Sequence, residues 1–231
     1  MTKIYCDTSN LVNIKKSIKK YKIQGVTTNP SIMRSEGVKS YKIHCLKILN
    51  IIGNRPLSVE VFADENHEII NQAYKIAKLA KNIYVKIPVI NTKGEFLKKV
   101  IMELNNNDIK INITAVFTIE QLKKIKKVIN NKTPVIISIF CGRIADNGID
   151  PEPIIRKAKK IFQGYKNVKI LWASVRETFN FAQAKRTGAD IITVPPKFID
   201  KYYSKKLSLP EYSRTTVKQF FLDGKKSKYK L

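Results

Sequence analysis

Short apolar runs, rich in Ile and Val, alternate along this chain with longer stretches that mix lysine with apolar residues. Eight such runs stand out: 3–6, 23–27, 57–61, 82–89, 109–115, 134–140, 168–173 and 190–194. Each is too brief for a helix and reads as a buried strand. The stretches between them carry helical periodicity. A basic amphipathic helix runs to about Tyr21, and Ser31 is placed to cap a helix reaching roughly Ile52. Further helices are expected from Glu65 to Lys81, up to Asn105, and over Thr118–Asn130, where Thr118 and Gln121 have capping-box spacing. Phe140 leads into a glycine-containing loop, after which Asp150-Pro151-Glu152-Pro153 opens a helix to Phe162. A helix over Glu177–Thr187 stops at Gly188, and a short one follows Pro195-Pro196.

Eight strand–helix units with brief connections imply a parallel sheet, and that number points to a closed (β/α)₈ TIM barrel of the α/β class. A doubly wound open sheet is the structural alternative. The barrel accounts for residues 1–207 as a single domain. Residues 208–231 are surplus to it: a helical segment near Ser213–Leu222 and a basic tail, able to cover the barrel or reach another subunit.

The 231 residues and 43% hydrophobic content suit such a domain. No apolar run of about 18 residues occurs and the chain opens on strand-like sequence, so neither a membrane span nor a signal peptide is expected. Three cysteines without CxxC spacing fit a reducing cytoplasm. Two histidines make a multi-histidine metal site implausible. The net charge of +26 raises the question of nucleic acid. Only seven of the 44 basic residues are arginine, however, and the lysines spread over many helices with no nucleic-acid-binding motif. A solvated basic surface is the expectation, and specific nucleic-acid binding is not.

One lysine differs from the others. Lys86 lies in Asn82-Ile83-Tyr84-Val85-Lys86-Ile87-Pro88, near the end of a strand that Pro88 closes. Desolvation there favours a neutral, nucleophilic amine. A lysine whose stem packs while its head reaches water is the plainer alternative. Lys110 and Lys169 also sit in apolar runs, but at strand starts, whereas barrel chemistry gathers at the C-terminal ends. Those ends carry a polar set: Asp7, Asn29, Glu60, Lys86, Asn112, Thr114, Ser138, Ser174, Arg176 and Thr193. Single buried polar residues are usually satisfied core groups. Seven strands ending this way, beside that of Lys86 itself, point to a site around Lys86. Asp7 and Glu60 are candidate acid/base groups, with a salt bridge to Lys86 as the alternative. Arg143 and Arg176 follow adjacent strands and, with Ser174, suit a phosphate.

The segments Gly25-Val-Thr-Thr-Asn-Pro-Ser31, Val85-Lys-Ile-Pro88, Ile111-Asn-Ile-Thr-Ala115, Ser138-Ile-Phe-Cys-Gly-Arg143-Ile-Ala-Asp146, Trp172-Ala-Ser-Val-Arg176 and Asp190-Ile-Ile-Thr-Val-Pro195 resemble the transaldolase family. The short length is similar to its small subfamily, which includes fructose-6-phosphate aldolases. The resemblance implies a class I aldol mechanism in the pentose phosphate pathway, with Lys86 as the Schiff-base lysine and neither metal nor cofactor. It implies that Asp7 is the acid/base beside the breaking bond and that Glu60 and Thr114 hold a catalytic water. Asn29, Asn112 and Ser138 then contact the donor hydroxyls or the lysine, while Arg143, Ser174 and Arg176 take the phosphate. Transaldolases carry Phe where this chain has Phe140, and the aldolases carry Tyr there and tend to have Gln at the position of Glu60. Sugar phosphates are the implied partners, and a homo-oligomer, pentamer or decamer, the implied assembly. A fructose-6-phosphate aldolase is the nearer alternative activity, and a degenerate barrel serving as a basic nucleic-acid-binding protein the distant one.

Overall fold

A computed structural model describes residues 1–230. Eight parallel strands close into one barrel in chain order, with the last paired to the first. They are β1 (Lys3–Asp7), β2 (Gly25–Thr27), β3 (Leu57–Glu60), β4 (Ile83–Pro88), β5 (Ile111–Val116), β6 (Val135–Ile139), β7 (Val168–Trp172) and β8 (Ile191–Val194). The eight runs of the sequence are these eight strands. The chain forms two compact units, residues 1–201, which hold the barrel, and residues from 202 onward.

The helices follow the predicted positions with five corrections. The segment after β2 is not one helix but two, α2 (Pro30–Ser35) and α3 (Tyr41–Ile52), after α1 (Leu11–Tyr21). Gly37 breaks it: at φ +68° it turns the backbone so that Val38 N–H donates to Met33 O at 3.1 Å. The cap of α2 is Asn29 rather than Ser31, its Oδ1 accepting from Ile32 N–H at 2.9 Å with Pro30 in the first turn. Next come α4 (Asn66–Ala77), α5 (Lys98–Asn106) and α6 (Ile119–Lys126), shorter than expected but opened by the predicted Thr118–Gln121 capping box. The loop expected after β6 contains a short helix, α7 (Cys141–Asp146). The barrel ends with α8 (Glu152–Ile161), α9 (Asn180–Arg186) and α10 (Pro196–Tyr203). Helix α11 (Leu209–Ser227) exceeds its predicted span at both ends, a Ser208–Glu211 capping box starting it early.

Two cores follow from strand alternation. Outward-facing Val59, Val85, Ile113 and Ile137 are fully buried. Inside the barrel, Tyr5, Ile136, Leu171, Ala173 and Ile191 cluster, with Tyr84 and Phe140 packed against them. Tyr5 fits because Gly25 has no side chain: a Cβ there would lie 2.6 Å from the ring. This apolar plug fills the barrel below its C-terminal end and leaves the polar strand ends above it as a floor.

Candidate active site

Strand register brings the central residues together. Glu60, Lys86 and Asn112 are lateral neighbours on β3, β4 and β5, so their side chains share one row on the inner face. Lys86 is 6% exposed, and its Nζ lies 3.0 Å from Glu60 Oε2 and 3.4 Å from the Thr28 carbonyl. Lys169 is exposed, and Lys110 Nζ donates to the Lys81 carbonyl outside the barrel mouth, so neither competes with Lys86. The salt-bridge alternative raised for Glu60 is therefore present. It also sets a carboxylate where it can take the proton of the ammonium.

Around this pair a cavity of about 330 Å³ opens at the C-terminal end of the barrel. Asp7, Asn29, Lys86, Thr114, Ser138 and Phe140 line it, and Arg143, Ser174 and Arg176 line its other side. Glu60 and Asn112 stand behind this lining, joined to it through Lys86 and Ser138. All eleven candidate residues thus converge on one site.

The polar groups are fixed by one another. Ser138 Oγ donates to Asn112 Oδ1 at 2.7 Å, and Asn112 Nδ2 donates to Ser58 Oγ at 3.0 Å. On the opposite wall Thr27 Oγ1 donates to Asp7 Oδ1 at 2.7 Å and lies 2.5 Å from Thr193 Oγ1. Thr27 has one proton, so while it donates to Asp7 the Thr193 hydroxyl is the donor between the two threonines. Asp7 opens part of its surface to the cavity, yet its carboxyl is packed closely. Burial raises its pKa, opposed by the charge of Lys86 and the Thr27 hydrogen bond. A carboxyl shifted this way is suited to receive a proton. Thr114 Oγ1 is buried with no hydrogen-bond partner among the described residues, although it faces the cavity.

The arginine side is less enclosed. Arg143 lies on α7 rather than in a loop, with its guanidinium carbon 5.4 Å from the centre of the Phe140 ring. Phe140 meets Phe117 at 5.7 Å, so the ring forms an apolar wall. Arg176 gives Nε and Nη2 to Asp146 Oδ2 at 3.0 and 2.6 Å. Gly142 permits the contact between α7 and the β7 end, since a Cβ there would sit 1.5 Å from the Ser174 carbonyl oxygen.

Sequence reasoning missed Thr27, Ser58, Gly142 and Asp146, and noted Thr193 without a role. Ser58 was open to detection, because it alternates with Glu60 and must share its face. Cysteine chemistry has no support: Cys6, Cys45 and Cys141 are buried, and burial pushes the Cys6 and Cys45 thiols up to about 12.

Fold and site together define an α/β-barrel protein with an amine–carboxylate pair at the floor of a polar cavity and two arginines at its rim. The barrel is similar to that of orotidine 5'-monophosphate decarboxylase from Metallosphaera sedula, with a TM-score of 0.55, 11% identity, and coverage of 89% of this chain and 92% of that one; this likeness concerns the fold alone. The transaldolase/fructose-6-phosphate aldolase family model matches residues 4–229, and the chain belongs to that family. Relatives named "Probable transaldolase" include one from Thermoanaerobacter sp. (strain X514), 35% identical over 198 residues, covering 85% of this chain and 87% of the relative. Another, from Methanococcus maripaludis (strain C6 / ATCC BAA-1332), is 33% identical over 207 residues, covering 89% and 92%.

Proposed function

We propose that this protein is a transaldolase of the pentose phosphate pathway, moving a dihydroxyacetone unit between sugar phosphates through a Schiff base on Lys86. The observation that carries this reading is the buried Lys86 amine at the cavity floor, 3.0 Å from Glu60. In its neutral form that amine adds to the ketone carbon of a donor such as sedoheptulose 7-phosphate or fructose 6-phosphate. Glu60 takes up the amine's proton, and a water held by Glu60 and the unpartnered Thr114 hydroxyl carries protons during loss of the ketone oxygen as water. The resulting iminium is an electron sink. Asp7 removes the proton of the C4 hydroxyl, the C3–C4 bond breaks, and its electrons pass into the iminium to give an enamine. The aldose phosphate leaves, and the enamine attacks the aldehyde of a second aldose phosphate by the same steps reversed.

Asn29, Asn112 and Ser138 are assigned to the donor hydroxyls and to orientation of the lysine, and Arg143, Ser174 and Arg176 to the phosphate. Phe140 supports transfer over release, because a phenyl ring brings no proton to the enamine and keeps water from one wall. We assign a homo-oligomeric state as well: Tyr212, Val217, Phe220 and Phe221 on α11 are exposed and suit a protein contact. No helix among the described residues is long and apolar enough to cross a membrane.

Borohydride trapping with fructose 6-phosphate tests the assignment. Peptide mass spectrometry is expected to find the reduced adduct on Lys86, with none in Lys86→Arg, which keeps the charge but forms no iminium. An adduct on another lysine overturns it. Free dihydroxyacetone, followed with and without erythrose 4-phosphate, separates the two activities of the family. Little release without acceptor is expected, and release as fast as transfer makes the enzyme a fructose-6-phosphate aldolase.

A further inference from the structure

The Arg176–Asp146 pair is asymmetric in a way that bears on ligand binding. One oxygen, Asp146 Oδ2, accepts from both Nε and Nη2 of Arg176, while Nη1 makes no hydrogen bond among the described residues. Arg176 lines the cavity and Asp146 does not, so the carboxylate holds the guanidinium from behind. The stem of Arg176 passes close to the same helix: its Cγ lies 3.0 Å from where a Cβ on Gly142 would be. Helix α7 therefore runs close to the stem of Arg176, bonds its head through Asp146, carries Arg143, and is seated against the Ser174 carbonyl.

The pair is poorly explained as a stabilising contact. Its side chains are 51% and 49% exposed, and ion pairs so open to water add little to stability. Beside a phosphate the carboxylate is also electrostatically adverse. What it supplies is direction, because a guanidinium binds an oxyanion in bidentate fashion only when one N–H edge is presented to it.

We propose that Asp146 is a positioning residue that turns the free edge of Arg176 toward the phosphate of a phosphorylated aldose, an inference that rests on the phosphate-binding reading of this cavity. The test compares full-length wild type with Asp146→Ala and Asp146→Asn, using glyceraldehyde 3-phosphate and glyceraldehyde as acceptors. Asp146→Ala is expected to raise KM for glyceraldehyde 3-phosphate about fivefold to tenfold with kcat nearly kept, lowering the preference for the phosphorylated acceptor. Inorganic phosphate should weaken as an inhibitor in parallel. Asp146→Asn retains an oxygen that accepts both N–H bonds, so its KM should stay at or below that of wild type.

If Asp146→Ala leaves KM unchanged or lowers it, Asp146 does not position Arg176. If both variants lose kcat and thermal stability equally with both acceptors, its role is structural and the proposal fails. Arg143→Ala and Arg176→Ala are measured alongside. Should these also leave the acceptor preference intact, the phosphate reading itself has failed. If they abolish it while Asp146→Ala does not, only the positioning role is lost.

Discussion

The two arginines should not contribute equally, and the structure gives the order. Hydrogen bonds from a charged group stabilise a bound partner by roughly 1.5–3 kcal/mol. Arg176 has already given Nε and one Nη2 hydrogen to Asp146 and is 51% exposed, which places Arg176→Ala near the lower limit. Arg143 commits none of its side-chain donors to a hydrogen bond among the described residues, and Phe140 supports it from one face. Its removal should cost about 2–3 kcal/mol. At about 1.4 kcal/mol per factor of ten, these become losses of roughly tenfold for Arg176→Ala and thirtyfold to a hundredfold or so for Arg143→Ala. The quantity to measure is kcat/KM for the acceptor with fructose 6-phosphate as donor. The acceptor meets an enzyme already carrying the three-carbon unit, so this ratio reports acceptor binding and capture alone. Both losses should appear with glyceraldehyde 3-phosphate and largely vanish with glyceraldehyde. Equal losses on the two acceptors would refute the phosphate role, and a larger loss for Arg176→Ala would refute the ordering.

Asp7→Asn keeps an oxygen for Thr27 but removes the base, and turnover should drop by about a hundredfold to ten-thousandfold. Burial raises the Asp7 pKa, so the folded protein holds a proton that the unfolded chain releases near its ordinary 3.8, and native stability declines as pH rises from there through the folded pKa. The asparagine variant escapes that decline, and urea denaturation should find it the more stable protein at neutral pH and no more stable under strong acid. Thr114→Val should leave thermal stability unchanged or raised, since it deletes a buried hydroxyl without a partner, while kcat falls; unchanged kcat would remove Thr114 from the proton path. Gly142→Ala forces a methyl to within 1.5 Å of the Ser174 carbonyl oxygen unless the backbone moves, and calorimetry should register roughly 1–3 kcal/mol of destabilisation.

Strand identity was legible because buried strands announce themselves by short β-branched runs, and their order then fixes a barrel. The lysine could be ranked above Lys110 and Lys169 because position along a strand decides which end a side chain serves. Helix boundaries were less legible. Gly37 splits one expected helix by a backbone turn, and α7 hides in a six-residue stretch too short for a period to show. The partners of the site residues were the least accessible. Thr27 touches Asp7 from 20 residues away and Asp146 meets Arg176 across 30, and both contacts exist only because neighbouring strands and their connections lie side by side.

Two of the five non-glycine residues with positive φ among the described residues stand at strand ends beside the cavity. Ala115 and Ser174 adopt φ of 55° and 62°, a region that costs an L-residue roughly 1–2 kcal/mol. In an unbroken strand Asn112, Thr114 and Val116 would all face inward. The register instead shifts between Ile113 and Val116, so that Thr114 lines the cavity while Val116 pairs with outward-facing Ile139 and is fully buried. The left-handed turn at Ala115 is what accommodates the extra residue. After β7 the same conformation at Ser174 carries the chain out of the strand with both Ser174 and Arg176 on the cavity wall. Glycine would adopt either backbone at lower strain. At position 174 it would also remove the hydroxyl beside the two arginines, so the strained serine is the conformation that leaves a donor in the cavity.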